Sequence, residues 1–200
     1  MLEDLTFKYL GISNYHETHE LMKSHIKKEP FKNEIWFLEH PPVFTLGTAA
    51  NMKHVLNPKD IPVIQSDRGG EVTYHGPGQL VIYFLLNIKE LSSGPKTFVK
   101  TLQSFIEDLL YVYAINCNFI EGAPGVYVDN KKIASIGLRI SKGKTYHGIS
   151  INYDMDLSPF KQINPCGYEG LEVVQIKDLN PNVSKLKLEQ QATELLKKVF

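Results

Sequence analysis

The stretch Leu80-Val81-Ile82-Tyr83-Phe84-Leu85-Leu86-Asn87 decides the fold class of this 200-residue chain. Its apolar run is the longest in the chain, and it is far shorter than the roughly 18 residues that a membrane-spanning helix needs. It also lacks the polar alternation of a strand with one face in solvent. A short run that is apolar on both faces is typical of a buried strand. We therefore predict that residues 80–87 form a central strand covered on each side.

Helices and short strands surround this stretch without regular alternation. Two helices are predicted from apolar residues at three- and four-residue steps, one after Gly94-Pro95 and one from about Leu186 to the C-terminus. A third helix is predicted from Asn14 to about Lys28, with Leu21, Met22 and Ile26 on its buried face. The remaining predicted strands are Ile35–Leu38, Val43–Leu46, Gly125–Val128, Lys132–Ile140 and Thr145–Tyr153, the last three joined by hairpins. This mixture predicts an α+β fold, and no linker divides residues 1–200, so we expect one domain.

Composition excludes several classes of protein. Lys plus Arg and Asp plus Glu number 22 each, so no overall positive field exists to attract nucleic acid. The two cysteines are too few for the disulfide framework of a small secreted domain. Acidic residues in positions 1–5 occupy the place where a signal peptide would be basic. We expect a cytoplasmic protein that does not bind membranes or nucleic acid.

Glycine and proline make up five of the twelve residues from Arg68 to Gln79, immediately before the central strand. One interpretation is a pair of tight turns in a surface loop. The other is a ligand site, because glycine lets the backbone approach a bound group closely, with Arg68 and His75 as polar side chains. The spacing matches neither a phosphate-binding loop nor a dinucleotide fingerprint.

Cys166 and Lys132 are candidate catalytic residues, each with a structural alternative. Pro165 and Gly167 flank Cys166 and can hold its thiol accessible for nucleophilic attack, although most free cysteines are small buried side chains. Lys132 begins a predicted strand, where most lysines are solvated surface charges. Cys117 has no such flanking residues.

Histidine is the other common activator of a thiol. Among the seven histidines, His75 and His147 lie next to glycines. We expect two or all three of His16, His19 and His25, on the first helix, to face solvent. No cluster of His, Cys, Asp or Glu has the spacing of a metal site, so we expect no bound metal.

Five motifs then occur in one order along the chain. They are Arg-Gly-Gly-x-x-Thr-Tyr-His-Gly-Pro-Gly-Gln (68–79), Gly-Val-Tyr-Val (125–128), Lys-Ile-Ala-Ser-Ile-Gly (132–137), His-Gly-Ile-Ser (147–150) and Asn-Pro-Cys-Gly (164–167). Together they resemble the lipoyl(octanoyl) transferase family, the octanoyl-[acyl carrier protein]:protein octanoyltransferases of lipoate synthesis. The resemblance extends from about residue 35 to about residue 170. It implies the fold of the biotin/lipoate protein ligase catalytic domain, a mixed, largely antiparallel sheet flanked by helices.

The resemblance also implies the roles of individual residues. Cys166 would carry the acyl group as a thioester, and Lys132 would favour its thiolate form and move protons. No cofactor is expected, because a thioester substrate is already activated. The implied acyl pocket is lined by Arg68, Gly69, Gly70, Glu71, Val72, Thr73, Tyr74, His75, Ser135, Ile136, Gly137, Gly148, Ile149 and Ser150.

The implied partners are octanoyl-acyl carrier protein as donor, and the lipoyl domains of 2-oxoacid dehydrogenases and the glycine cleavage H protein as acceptors. Such partners are typically acidic, and residues 131–144 carry five basic residues and no acidic one, so this segment would attract them. Three alternatives remain open. They are an ATP-dependent lipoate or biotin ligase, an amidotransferase that moves lipoyl groups between proteins, and a non-catalytic module that binds acylated carrier proteins.

Overall fold

The computed structural model describes residue 2, residues 4–91 and residues 94–200. Residues 1 and 3 of the N-terminal stretch considered above lie outside the described part. The helices are α1 (Tyr15–His25), α2 (Pro95–Val112), α3 (Ile176–Leu179) and α4 (Lys185–Val199). The strands are β1 (Thr6–Ile12), β2 (Glu34–Glu39), β3 (Val43–Leu46), β4 (Val63–Gln65), β5 (Val72–His75), β6 (Gln79–Leu85), β7 (Asn118–Ile120), β8 (Ala123–Val128), β9 (Lys131–Ser141) and β10 (Lys144–Asn152).

Two sheets organise the described residues. Seven strands form the main sheet in the order β1-β2-β6-β10-β9-β8-β7, and three form a smaller sheet in the order β4-β3-β5. In the main sheet β1 and β2 are parallel, and the other neighbouring pairs are antiparallel. The mixed, largely antiparallel α+β arrangement predicted from the sequence is confirmed.

Strand β6 is central, as its apolar run predicts, with β2 and β10 as its neighbours. Its side chains alternate between two cores. Leu80, Ile82 and Phe84 belong to the core that contains α2 and α4. Val81, Tyr83 and Leu85 belong to a second core together with Met22 of α1. Every residue of β6 is buried, so the absence of polar alternation reflects helices on both faces of the sheet.

Helix α1 starts as predicted, because the Asn14 side chain accepts hydrogen bonds from the backbone N–H groups of His16 and Glu17, at 2.9 and 3.3 Å. Its buried face was predicted wrongly in part, since Leu21 is 58% exposed. The buried positions are Tyr15, Thr18, Met22 and His25, and their three- and four-residue spacing leaves position 21 outside the buried stripe. The helix also ends at His25 rather than near Lys28.

Strands β1, β4, β5 and β7 were not predicted. The most consequential of these is β5, because Val72–His75 lies inside the glycine-rich stretch that read as either turns or a ligand site. It pairs with β3 in the smaller sheet. The stretch therefore places a short strand against the main sheet instead of a surface loop. Among the described helices, none has both the length and the apolar character needed to cross a membrane.

Candidate active site

Lys132 and Cys166 are 34 positions apart in the chain and in direct contact in the structure. The Lys132 Nζ atom lies 2.6 Å from the Cys166 Sγ atom and donates a second hydrogen bond, at 2.8 Å, to the Pro124 carbonyl oxygen. Lys132 is only 3% exposed, whereas the Cys166 residue is partly accessible. A buried ammonium group is thus held against a thiol that a substrate can reach.

The backbone of Lys132 explains how two distant segments meet. Its N–H donates to the Glu172 carbonyl at 2.9 Å, and its carbonyl accepts from the Val174 N–H at 3.0 Å. The segment just after Cys166 therefore pairs with the start of β9. Gly125 provides room for the lysine side chain, since a Cβ atom there would lie 2.6 Å from Lys132 Cε.

Cys166 lies in a tight turn, Pro165–Gly167, with left-handed backbone angles at Cys166 (φ 56°) and at Gly167 (φ 77°). A left-handed conformation is uncommon for a residue with a side chain, and such residues occur often at functional sites. The Asn164 N–H donates to the His54 carbonyl at 2.8 Å, which anchors the turn. The turn presents the thiol to the cavity described next.

A cavity of about 220 Å³ lies beside the thiol, between the main sheet and the glycine-rich stretch. It is lined by thirteen of the fourteen residues expected to form the acyl pocket, together with Lys132 and Cys166. The thirteen are Arg68, Gly69, Gly70, Glu71, Val72, Thr73, His75, Ser135, Ile136, Gly137, Gly148, Ile149 and Ser150.

Strand register brings small residues together under this cavity. Ser150 lies opposite both Val81 and Ser135 in the sheet. Gly148 likewise lies opposite Tyr83 and Gly137. Directly opposed residues in a sheet share a face, so two rows rich in glycine and serine form the floor. Their small size leaves the space that a chain-like ligand would fill.

Gly148 has a second reason to be glycine. A Cβ atom at this position would lie 2.0 Å from the Ile82 carbonyl oxygen, closer than any real contact. A larger residue would separate β10 from β6 at the cavity floor.

Tyr74 is the one expected pocket residue that does not line the cavity. Its ring packs against Phe44 and Phe160, with ring centroids 5.4 Å apart in each case. Tyr74 lies within β5, where successive side chains point to opposite faces. The neighbouring side chains of Thr73 and His75 therefore face the cavity while Tyr74 faces the core of the smaller sheet.

Arg68 is buried and binds the protein rather than an exposed anion. Its guanidinium donates to the Thr45 hydroxyl and carbonyl, at 2.9 and 2.6 Å, and to the Glu71 carbonyl at 2.8 Å. Burial lowers the pKa of this guanidinium from its ordinary value. Arg68 thus joins the glycine-rich stretch to β3 and forms part of the cavity wall.

One end of the cavity is formed by rings that the sequence did not assign to the pocket, among them Tyr15, Tyr83 and His147. Burial lowers the pKa of His147 to about 4 and holds that of His75 well below its ordinary value. Both imidazoles are therefore neutral at pH 7. Burial also raises the pKa of the Tyr83 hydroxyl. These uncharged rings give a polar but neutral lining.

The first helix does not present its histidines to solvent as expected. His16 is exposed, but His25 is buried and His19 is largely covered. The Nε2 atom of His25 lies 2.8 Å from the Lys32 carbonyl oxygen. His19 is 2.8 Å from an Asp67 carboxylate oxygen. Tertiary hydrogen bonds, which a helical pattern does not reveal, account for both corrections.

The basic segment 131–144 is less uniform than its sequence indicates. Lys131 forms an ion pair with Glu172 at 2.8 Å. Lys144 pairs with Glu29 at 2.8 Å and lies over the Phe31 ring. Lys132 is buried at the cavity. A positively charged rim would therefore depend mainly on Arg139 and Lys142.

Seven further residues line the cavity that the sequence did not assign to it. Three of them, Pro124, His147 and Tyr168, lie in or next to the quoted motifs, so their neighbours provided a signal. Tyr15 lies on a helix without motifs, and no sequence signal marks it. The seven are Tyr15, Val81, Tyr83, Gly122, Pro124, His147 and Tyr168.

Comparison with known proteins agrees with this architecture. A family model described as the lipoyl protein ligase A/B catalytic domain matches residues 14–200. The bipartite lipoate protein ligase of Thermoplasma acidophilum has the same fold, with a TM-score of 0.74 at 14% identity, over 98% of this chain and 83% of that one. Biotin protein ligase from Aquifex aeolicus aligns with a TM-score of 0.55 at 16% identity, over 98% of this chain and 72% of that one. The predicted fold class is confirmed.

Sequence similarity is much stronger to one group. A curated relative from Shewanella frigidimarina, named octanoyltransferase, is 51% identical over 179 residues, covering 88% of this chain and 83% of its own length. The family model and this relative each cover most of the chain. The chain therefore belongs to the octanoyltransferases, within the lipoyl protein ligase A/B catalytic-domain family.

Proposed function

We propose that the chain transfers an octanoyl group from octanoyl-acyl carrier protein, through a thioester on Cys166, to a lysine of a lipoyl domain. The acceptors would be the lipoyl domains of 2-oxoacid dehydrogenases and the glycine cleavage H protein. This reaction would be the first step of endogenous protein lipoylation. The observation that carries the proposal is the 2.6 Å contact between Lys132 Nζ and Cys166 Sγ beside the cavity.

The first half-reaction forms the acyl-enzyme. The Cys166 thiolate attacks the carbonyl carbon of the octanoyl thioester, a new C–S bond forms, and the C–S bond to the carrier protein breaks. The carrier thiolate leaves and takes a proton from the Lys132 ammonium, which becomes a neutral amine. The position of Lys132 supports this role, because its Nζ atom lies 2.6 Å from Cys166 Sγ, next to the atoms where the thioester bond forms and breaks.

The second half-reaction restores the enzyme. The amine of the acceptor lysine attacks the carbonyl carbon of the thioester, a C–N bond forms, and the bond to Cys166 breaks. The neutral Lys132 takes the proton lost by the amine, so the enzyme again holds a thiolate and an ammonium group. No nucleotide is consumed, because the donor thioester supplies the activated acyl group.

The cavity supports an acyl substrate of modest length. Its floor consists of the glycine and serine rows, and its lining includes the uncharged rings of Tyr83 and His147, while the Arg68 guanidinium in its wall is bonded to protein carbonyl groups. A hydrocarbon chain laid along it would displace water from apolar and neutral polar surfaces, which favours binding by about 0.8 kcal/mol for each buried CH₂ group.

Intact-mass spectrometry tests the proposal. The purified protein is mixed with octanoyl-acyl carrier protein without ATP, and we expect one octanoyl adduct that disappears when a lipoyl domain is added. Cys166→Ser should form no thioester adduct, whereas Cys117→Ser should behave as the wild type. Cys117 is a suitable control because burial raises its pKa to about 11, which keeps its thiol protonated and unreactive.

The same experiment separates the alternatives. Modification that needs octanoate and ATP would indicate a ligase. An adduct formed from an octanoylated lipoyl domain but not from the carrier protein would indicate an amidotransferase. A complex without any adduct would indicate a binding module. Each of these results would refute the proposed reaction.

A further inference from the structure

Three side chains of types that bind metals meet beside the cavity, one of them the cavity-lining His147, and neither Lys132 nor Cys166 is among them. His19 comes from α1, Asp67 precedes the glycine-rich stretch, and His147 comes from β10. Both histidine Nε2 atoms approach one carboxylate oxygen, Asp67 Oδ1, at 2.8 and 2.9 Å. The three potential ligand atoms all lie within 4.8 Å of one another. Asp67 is 48 positions from His19 and 80 positions from His147, so no sequence spacing could reveal the cluster.

The backbone is shaped to bring His147 into this group. Tyr146 and His147 are consecutive residues of β10, and in a regular strand they would point to opposite faces. Yet the Tyr146 hydroxyl donates to Asp67 Oδ2 while His147 contacts Asp67 Oδ1. The left-handed backbone of His147 (φ 59°) breaks the alternation and turns its ring toward the carboxylate.

Within the described part of the chain, no hydrogen bond to Nδ1 determines which of the two ring nitrogens of His147 carries the proton. Its Nδ1 atom is buried and has no hydrogen-bond partner among the described residues. A donor bonded to Nδ1 would fix the proton on Nε2 and prevent metal binding there. Without such a donor, Nε2 can bind a metal while the proton moves to Nδ1.

We propose that His19, Asp67 and His147 form a binding site for a divalent ion of the zinc class. Two neutral imidazoles and one carboxylate are a ligand set typical of Zn²⁺ with an open fourth position. A tetrahedral ion with ordinary Zn–N and Zn–O bonds places its ligand atoms about 3.3–3.4 Å apart. The two contacts to Asp67 Oδ1, now 2.8 and 2.9 Å, would each open by about 0.5 Å to accept it, and the two histidine nitrogens already lie within 4.8 Å of each other.

The surroundings of the three ligands suit such an ion. The Tyr146 hydroxyl on Oδ2 holds the carboxylate in orientation and leaves Oδ1 for the ion. The Asp67 side chain is 35% exposed and that of His19 is 12% exposed, which gives an entry path and room for a water ligand. A bound ion would tie α1 to β10 next to Gly148, at the wall of the cavity.

Metal titration of the full, untagged chain tests the site. After removal of metals with a chelator, the protein is titrated with Co²⁺, followed by visible absorption, and with Zn²⁺, followed by calorimetry. We expect one equivalent to bind with micromolar or tighter affinity and to raise the unfolding temperature. His19→Gln should weaken binding at least 100-fold without lowering the unfolding temperature of the metal-free protein by more than a few degrees.

Matched controls identify the ligands. His16→Gln changes an exposed histidine on the same helix and should bind as the wild type. Cys166→Ser should also bind one equivalent, which excludes the thiol as the ligand. Failure to bind either ion, unchanged binding in His19→Gln, or loss of binding in Cys166→Ser would each overturn the proposal. None of these readouts depends on octanoyl transfer.

Discussion

Replacing Lys132 by Met tests the proposed chemistry most directly. The substitution removes the ammonium group and keeps an unbranched side chain of similar length. The backbone hydrogen bonds of residue 132 to Glu172 and Val174 do not involve the side chain, so the strand pairing should remain. Because the partner left behind, Cys166, is partly accessible and can be a neutral thiol, no unpaired buried charge results, and we expect the fold to be kept.

The expected effect follows from the contact at the site. Lys132 Nζ and Cys166 Sγ are 2.6 Å apart and Lys132 is 3% exposed, so water screens the pair weakly. An ordinary thiol is only a few per cent ionised at pH 7. Removing a cation in contact with the sulfur disfavours the thiolate, so Lys132→Met should slow alkylation of Cys166 about 10-fold at pH 7. Octanoyl transfer should fall about 1,000-fold or more, because a proton carrier worth about 100- to 10,000-fold is lost as well.

The assay is the pH dependence of iodoacetamide modification of Cys166, measured beside octanoyl transfer. Lys132→Met should move the alkylation profile to higher pH. Lys132→Arg should restore much of the alkylation rate but little transfer, because a guanidinium keeps its charge and does not release its proton at working pH.

Lys131→Met is the matched control, since Lys131 is an exposed neighbour paired with Glu172. It should change neither the alkylation profile nor transfer by more than about twofold, as expected for a surface ion pair. An alkylation profile that Lys132→Met leaves unmoved would refute lysine activation. Damage from Lys131→Met together with normal activity of Lys132→Met would refute the residue assignment.

Three further predictions concern the cavity, the rim and acid stability. Ser135→Val adds bulk to the cavity floor and should raise KM for the octanoyl donor about 10-fold or more, while the unfolding temperature stays within a few degrees of the wild type. An unchanged KM in steady-state kinetics would exclude Ser135 from the acyl pocket. Lys142→Glu should lower kcat/KM for the carrier protein at low salt but not at high salt. Lys144→Glu should chiefly lower the unfolding temperature, because Lys144 is paired with Glu29. Equal kinetics of the two variants at low salt would contradict the idea that Lys142 on the positively charged rim attracts the carrier protein. Burial lowers the pKa of His40 from 6.5 to about 4, so the unfolded chain binds a proton that the folded chain excludes. His40 alone should therefore lower the free energy of unfolding by up to about 1.4 kcal/mol per pH unit from pH 6.5 toward pH 4, and thermal unfolding should show a correspondingly shallower fall in His40→Asn.

Local pattern was sufficient for the elements that form the cores. The two-sided apolar run of β6 predicted a covered central strand, and the three- and four-residue spacing in α2 predicted its buried face. Both signals arise because side-chain direction follows the backbone period. The same logic was insufficient where polar side chains take buried positions. Thr18 donates to the carbonyl of Asn14, the N-cap of the same helix, and His25 forms a hydrogen bond with the Lys32 carbonyl after the helix, so both are buried in α1 while Leu21 is left exposed.

The candidate site shows a similar division. Motifs quoted from the sequence contain both Lys132 and Cys166, but composition alone favoured a surface lysine and a buried cysteine. Their roles came from the resemblance, and their contact depends on backbone pairing that no motif encodes. The error at Tyr74 has the opposite origin. The motif that contains Tyr74 runs beside the cavity, but the alternation of side chains in β5 directs the Tyr74 ring away from the cavity and toward Phe44.

The pairing of residues 172–174 with Lys132 brings together two candidate catalytic residues that lie in different kinds of backbone, one in a strand and one in a turn. Strand β9 belongs to the main sheet, and Lys132 near its start is held between Tyr127 of β8 on one edge and Val173 on the other. Cys166 lies instead on a turn, whose left-handed backbone exposes the thiol to an incoming carbonyl group. A nucleophile that must accept and then release an acyl group needs access, whereas the cation beside it needs burial to interact strongly. The backbone bridge between Lys132 and Val173 joins the two segments, and with it the Lys132 Nζ atom lies 2.6 Å from Cys166 Sγ.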